Sequence, residues 1–390
     1  MVASTSMESY PKGRIAISER PASMAAIAPR RKINFFGIVH ACGGCGSEAL
    51  GAVELLRSKG VSVRMIVPPS DPIIDRGNAA ADYLRAIGVE LAQYRPGLFN
   101  DCGVIVCLGE KKMFDLIREY NDRPRYIVYS DCMGTETDIE VEAHKDGLVD
   151  EFLFQSKRHA DAVGPAIARR AHKAVTVRSG YKAFINTNSP YFPIRFKQDK
   201  PTDVFTAIKA GRDDADKWHP DTWRMFCGIS APNPTKVQVE IAGWGENASD
   251  KVGNPCLDGN MWRNQFNVTL HEHNHDVKWM SELYARSHVL VHILDYNCEE
   301  ALGRVILEAQ ASGVVAITDK RGGPIDLIEH GATGFLCDAP DEASFYASEC
   351  AFHDGLRRSI ASQAYTRLVT EGHGSPESCW PWWADLLGKA

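Results

Sequence analysis

The chain lacks several things that would have decided its class at once. It has no uninterrupted apolar run of about 18 residues, so no transmembrane helix is expected. Its first residues carry no continuous hydrophobic segment ahead of a cleavage site, so no secretory signal is expected either. Neither charge sign dominates: 44 Lys and Arg face 50 Asp and Glu, a net charge of −6. That balance excludes bulk attraction to nucleic acid. The eleven cysteines are scattered from Cys42 to Cys379, without the dense spacing of a disulfide scaffold. Cys42 and Cys45 form a C-x-x-C, but no second pair follows to complete a zinc site. The cysteines read as reduced core residues of a cytoplasmic protein. The glycine turn "CGGCGSE" completes neither a G-x-G-x-x-G nor a P-loop, because no Lys-Ser/Thr follows.

What is present is an alternation. Residues 1–31 are rich in Ser, Ala, Met and Pro without a period and read as a disordered tail. Apolar runs follow at "KINFFGIV", "VSVRMIV", "GVIVCL", "RYIVYS", "EFLFQS" and "AVTVRS". Helix-length segments separate them, with Leu50, Val53, Leu55 and Leu56 sharing one face of the first. A second series holds "DVFTAIKAG", "VQVEIAG", "FNVTLH", "HVLVHIL", "VVAIT" and "TGFLCD". The segment "NTNSPYFPIRFKQDKPTD" between the series reads as a linker. The fold class expected is α/β, two Rossmann-like doubly wound domains facing across a cleft. The domains span 32–195 and 196–368, about 165 and 170 residues, a normal domain size. Ligands of such sheets bind beyond the carboxyl ends of the strands, so the cleft is the expected site.

Four constellations carry candidate chemistry. In "EEALGRVILEAQASG", Glu300 is expected at or just before a helix start and Glu308 about two turns in. Eight residues separate them, roughly 12 Å along a helix axis. Gly303 lets a ligand approach the backbone closely, and carboxylates accept hydrogen bonds from sugar hydroxyls. The structural alternative is a capping acid plus a helix-face glutamate balanced by Arg304. In "KAGRDDADKWHP", Arg212 and Lys217 follow the first strand of the second half, where two cations can hold a diphosphate. The alternative is a solvated loop whose charges cancel. Its Asp214-Ala-Asp216 pair resembles a divalent-cation motif, but flanking cations weigh against a metal. Gly43, Gly44 and Gly46 let the first strand-to-helix turn pass close to a ligand. Gly322 and Gly323 either present backbone N–H groups to a phosphate or make a tight turn.

The order of these motifs resembles retaining GT-B glycosyltransferases, family four in particular. There the text E-G-F-G-x-x-x-x-E-A-x-A-x-G corresponds to "EALGRVILEAQASG" here. The glycine loop with Glu48 looks like the family's G-G-x-E. The resemblance implies a metal-independent hexosyltransferase that retains anomeric configuration, with a nucleotide-sugar donor of unnamed base and no cofactor. It implies that Arg212 and Lys217 bind the diphosphate and offset charge on the leaving nucleotide. Glu300, with backbone around Ala301, Leu302 and Gly303, would hold the hexose, and Glu308 the ribose hydroxyls. Gly44 would face the donor. Gly43, Gly46, Ser130 and Asp131 would line the acceptor side. The acceptor would be a glycan, a lipid or a small molecule. Relatives often read His-Asp where Ser130-Asp131 stands, and a histidine near Leu108-Gly109-Glu110. Ala301 replaces a glycine. These departures keep open a sugar-nucleotide-binding protein without catalysis, and a sugar-nucleotide epimerase.

Three further stretches have two readings each. The basic segment 157–178 is either a peripheral membrane contact or a solvated helix face. "CWPWWADLL" within 369–390 is expected to cross back and pack on the first domain. His271, His273 and His275 in "HEHNHD" form either a base-proximal loop or, less in keeping with their place, a zinc site.

Overall fold

The computed structural model describes residues 32–37, 44–69, 79–131, 137–178, 184–191, 193–272 and 277–389, with only the backbone of 44–47 and 131. The first series of apolar runs forms a seven-stranded sheet: β1 Lys32–Phe36, β2 Ser62–Val67, β3 Glu90–Gln93, β4 Val104–Leu108, β5 Tyr126–Asp131, β6 Glu151–Phe154 and β7 Val177–Arg178. The second forms a six-stranded sheet: β8 Val204–Ala210, β9 Lys236–Trp244, β10 Asn267–Glu272, β11 Val289–His292, β12 Val315–Asp319 and β13 Phe335–Cys337. Each ladder is parallel, with β1 between β2 and β4, and β8 between β9 and β11. Strands covered by helices on both faces read as unbroken apolar runs. Accordingly Val104, Ile105, Val106 and Cys107, and all four residues of β11, are buried.

In both sheets the first strand lies beside the fourth, so the chain winds outward in two directions from the β1/β4 and β8/β11 seams. The connections on either side diverge there, opening a crevice at the carboxyl ends. Loops leaving β8 and β11 therefore meet at the mouth of the second sheet.

One strand, β3, had no counterpart among the apolar runs of the sequence. Its residues Glu90–Gln93 are only half covered, with both ends exposed, so no apolar period marks them. It is held by its pairing with β2 and by Lys32 and Arg64, which both reach Glu90 at 2.7 Å.

The described residues between the sheets form no helix or strand, yet they are fastened. Lys200 is buried and its ammonium donates to the carbonyls of Tyr284, Ala285 and Ser312 at 3.1–3.3 Å. The helix Asp354–Thr370 packs on the second sheet's side. The following helix, Pro376–Leu387, lies against the first sheet, with the Trp383 ring 5.7 Å from that of Phe35. Lys389 then donates to Tyr126 at 2.7 Å and pairs with Glu151 at 3.2 Å. Large aromatic surfaces supply most of the energy of such docking. On the helix Lys157–Ala171 three of the four Lys and Arg side chains form ion pairs: Lys157 with Asp161, Arg158 with Asp326 and Arg170 with Asp138.

Candidate functional site

β8 ends at Ala210, and the chain then turns through Gly211 into a short 3-10 turn, Ala215–Lys217. Asp213 anchors this loop by accepting from the backbone N–H groups of Asn247 and Ala248 at 3.1 and 2.8 Å, at the start of the helix Glu246–Val252. A Cβ on Gly245 would sit 2.2 Å from the Asp213 carboxylate, so the close approach requires glycine. The loop is further tied to the β11 exit, where Asp295 donates its N–H to the Asp216 carbonyl at 3.1 Å. The result is a fixed position for Lys217. Its ammonium lies 2.9 Å from Glu300 Oε1.

Glu300 comes from the long β11 exit. The helix expected to start near it begins only at Arg304 and runs to Ala311. Gly303, at φ +88°, is a left-handed residue just before it, and a side chain there would be strained. Residues 299–302 are loop, which places Glu300 four residues ahead of the helix. The expected two-turn spacing along one axis is therefore replaced by a loop carboxylate plus a helix carboxylate about one turn in. The loop is held from three sides. Gly323 donates its N–H to the Glu300 carbonyl at 2.8 Å. Arg321 donates to the carbonyls of Asp295 and Tyr296 at 3.1 and 2.8 Å. From the first half of the chain, Ser156 Oγ donates to the Ala301 carbonyl at 2.6 Å. The double glycine is thus a packing device: Cβ atoms at Gly322 and Gly323 would meet the Glu300 and Ala301 carbonyl oxygens at 2.5 and 2.2 Å.

The electrostatics follow from burial and pairing. Burial alone would push the Glu300 carboxyl up. A hydrogen bond from His292 at 3.1 Å and the Lys217 charge outweigh it and hold the group well below the usual carboxylate range. Burial likewise disfavours charge on Lys217, but Glu300 outweighs it and keeps the ammonium's pKa raised. His292 is buried at the end of β11, and burial pushes its pKa down, so the ring is neutral at pH 7. Beneath them Lys209, a residue of β8, is buried with a pKa lowered to about 8, chiefly by desolvation. It donates to the Ile293 carbonyl at 3.1 Å and sits 5.3 Å from the centre of the Trp218 ring. Glu308, on the helix, is buried and its pKa is raised by desolvation. Tyr284 donates to it at 3.3 Å and Arg304 lies 3.6 Å away.

A loop cation is thus paired with a loop carboxylate at the seam where a doubly wound sheet opens. Residues 192–365 match the family described as Glycosyl transferases group 1. The match covers just under half of the chain. The chain also shows 29% identity over 172 residues to a GDP-mannose-dependent alpha-mannosyltransferase of Corynebacterium glutamicum. That alignment covers 39% of this chain and 40% of the relative's length, so less than half of either chain is aligned. Among solved structures, Anabaena HepE in complex with UDP and glucose aligns with 92% of this chain and 100% of its own, at TM-score 0.63 and 15% identity. Sucrose-phosphate synthase from Thermosynechococcus elongatus aligns with 92% of this chain and 99% of its own, at TM-score 0.66 and 14% identity. The fold is therefore GT-B, two Rossmann-like domains of which the second carries the group 1 match.

Within the second domain the structure brings Lys217 and Glu300 together and leaves the other two charged candidates apart from that pair. Arg212 is 67% exposed, with its guanidinium 2.9 Å from Asp214 in its own loop. Glu308 is engaged by Arg304, four residues earlier on the same helix, and by Tyr284. Ala301 and Leu302 are buried in the loop, and their backbone, with that of Gly303, borders Glu300. In the first half, Gly44 and Gly46 lie in the first turn of the helix Gly44–Ser58 rather than in a loop, and Gly43 falls outside the described residues. Glu48 on that helix is buried and accepts from Gln155 at 2.6 Å. Ser130 is buried near the carboxyl end of β5; the backbone of Asp131 ends the strand, and its side chain is outside the described residues. Among the described residues no three His, Cys, Asp or Glu side chains gather as metal ligands. His271 pairs with Glu240 at 2.6 Å, while His273 and His275 lie outside the described residues.

Four residues of the site's surroundings were not legible beforehand: Lys209, His292, Arg321 and Ser156. Lys209 and His292 interrupt the apolar runs "FTAIKAG" and "VLVHIL". That was their only sequence signal, since a polar residue costs free energy inside a doubly covered strand unless it is paired.

Proposed function

We propose that the protein transfers a hexose from a nucleotide-sugar donor to an acceptor hydroxyl, with retention at the anomeric carbon and without a metal. The observation that carries this reading is the Lys217–Glu300 pair at the β8/β11 seam of the second domain. Lys217 would meet the donor diphosphate and stabilise negative charge as the nucleotide leaves, the largest electrostatic need of such a reaction. Arg212, whose exposed guanidinium is held only by Asp214 of its own loop, would exchange that partner for the diphosphate and supply the second cation. Glu300 would accept from hexose hydroxyls, and Glu308 from the ribose. The leaving phosphate oxygen would take the acceptor proton on the same face of the sugar. Retention rests on the resemblance in motif order, and the donor's class rests on the relatives, whose printed names include GDP-mannose and whose solved complexes include UDP with glucose.

The test is a thermal-shift titration with UDP-glucose, GDP-mannose and the corresponding nucleoside diphosphates. Ligand at a hundred times its Kd should stabilise the fold by about 2.7 kcal/mol. Lys217→Met should abolish the gain. Absence of any shift with every nucleotide tried removes the basis for the reading. Binding of a nucleotide sugar without turnover on any acceptor favours instead a binding protein, a reading that the replaced His-Asp at Ser130-Asp131 supports.

A further inference from the structure

His292 is the last residue of β11, eight positions before Glu300 and 2% exposed. Its Nε2 lies 3.1 Å from Glu300 Oε1. The Lys217 ammonium reaches that same oxygen at 2.9 Å. A carboxylate only accepts, so the imidazole must be the donor in this contact. That fixes the tautomer: the proton sits on Nε2 and Nδ1 carries a lone pair. Nδ1 is itself buried without a hydrogen-bond partner. An orphaned acceptor in a buried ring costs free energy. The chain tolerates that cost at one position on the floor of the candidate site, where leucine or valine would complete the apolar strand.

The cost has a return in geometry. A carboxylate oxygen has two lone-pair directions, and on Glu300 Oε1 both are taken, one by Lys217 and one by His292. The carboxylate cannot rotate about its terminal bond without breaking one of them. Oε2 receives neither contact, and the side chain is 18% exposed. We propose that His292 is a positioning residue that locks the Glu300 carboxylate so that Oε2 alone is presented to the sugar hydroxyls of the donor. This rests on the nucleotide-sugar reading above and names what sets the fit of the hexose within it. Lys217 alone cannot do the same work: an ammonium on a flexible stem is a point charge that follows either oxygen. When the diphosphate engages Lys217, His292 is the contact that keeps Glu300 aimed.

The experiment uses the full chain with UDP, UDP-glucose, GDP and GDP-mannose as probes. It compares wild type, His292→Leu and His292→Gln. Glutamine places an amide nitrogen near the position of Nε2 and restores the donor; leucine fills the volume without one. The quantity read is the ratio of the nucleotide-sugar Kd to the matching nucleoside-diphosphate Kd, which isolates the hexose. His292→Leu should raise that ratio about tenfold, the size of one hydrogen bond to a charged group, with diphosphate affinity nearly unchanged. His292→Gln should keep the ratio within about twofold of wild type. An unchanged ratio in His292→Leu, with diphosphate binding intact as proof of folding, overturns the proposal. So does an equal loss in both variants. Wild type that binds none of the four probes instead removes the nucleotide-sugar reading, and the positioning role with it.

Discussion

Lys209 offers the sharpest quantitative test, because its burial works against the fold. The residue is 4% exposed, and its ammonium has one carbonyl partner and one aromatic face. Its proton is held with a pKa of about 8 in place of the ordinary 10.5. At about 1.4 kcal/mol for each tenfold change, the charged side chain opposes folding by about 3 kcal/mol at neutral pH. The sign is that of a lysine with a depressed pKa. The unfolded chain binds the proton more tightly, so stability rises with pH and the penalty fades between pH 8 and 10.5. Lys209→Met keeps the volume and removes the charge. It leaves the Ile293 carbonyl without its donor, which returns about 1 kcal/mol of the gain. The expected net effect is about 1–3 kcal/mol of added stability at pH 7, shrinking toward zero by pH 10. Urea unfolding at both pH values measures it. If the charge serves the diphosphate site, the stabilised variant should also lose sugar transfer, the trade expected where function tolerates a strained site. A variant less stable at pH 7, or one whose advantage persists at pH 10, refutes the reasoning.

Lys217→Met leaves Glu300 buried with His292 as its one hydrogen-bond donor and should cost about 2–4 kcal/mol, read by urea unfolding. Because Glu300 is held below the ordinary 4.5 in the folded chain, its contribution is present above that value and is lost as pH falls; the variant should begin losing stability at a higher pH than wild type. Gly323→Ala places a methyl against the Ala301 carbonyl and should displace the loop that carries Glu300, cutting transfer more than about tenfold for a shift of 1 Å or so, while diphosphate binding survives. Arg212→Ala should leave the melting temperature unchanged, since an exposed pair contributes little; if the guanidinium meets the diphosphate, turnover should nonetheless fall sharply in a donor-hydrolysis assay.

Among the described residues, twelve of thirteen strands overlap apolar runs that the sequence displays, because a strand covered on both faces admits few polar residues. β3 escaped for the opposite reason: an edge strand with exposed ends follows no such rule. The start of the helix Arg304–Ala311 was misjudged because acids commonly occupy helix entrances. Here the acid is part of a loop, and the left-handed Gly303 makes the entrance. Lys217 and Glu300 were legible as a spaced pair of motifs, but not as a contact, since 83 residues of chain intervene. The roles of Lys209 and His292 depend on depth of burial and on which atom faces which. Neither quantity is written in residue order.

The loop that carries Glu300 takes support from both halves of the chain. From the first half, Ser156 Oγ reaches the Ala301 carbonyl, and the Arg158 backbone N–H and side chain reach Asp326 at 3.2 and 3.6 Å. The first is a neutral hydrogen bond, which contributes about 1 kcal/mol net. The second pair is substantially exposed, and such pairs contribute little. They are not the whole of the contact between the halves: Arg304 also donates to the Phe184 carbonyl at 3.3 Å, and one buried apolar cluster includes Phe184 and Ile185 with Leu302 and Ile306. The Ser156 hydroxyl also caps the helix Lys157–Ala171 by accepting from the His159 N–H at 3.1 Å. The one hydroxyl therefore ties the start of that helix to the loop that carries Glu300.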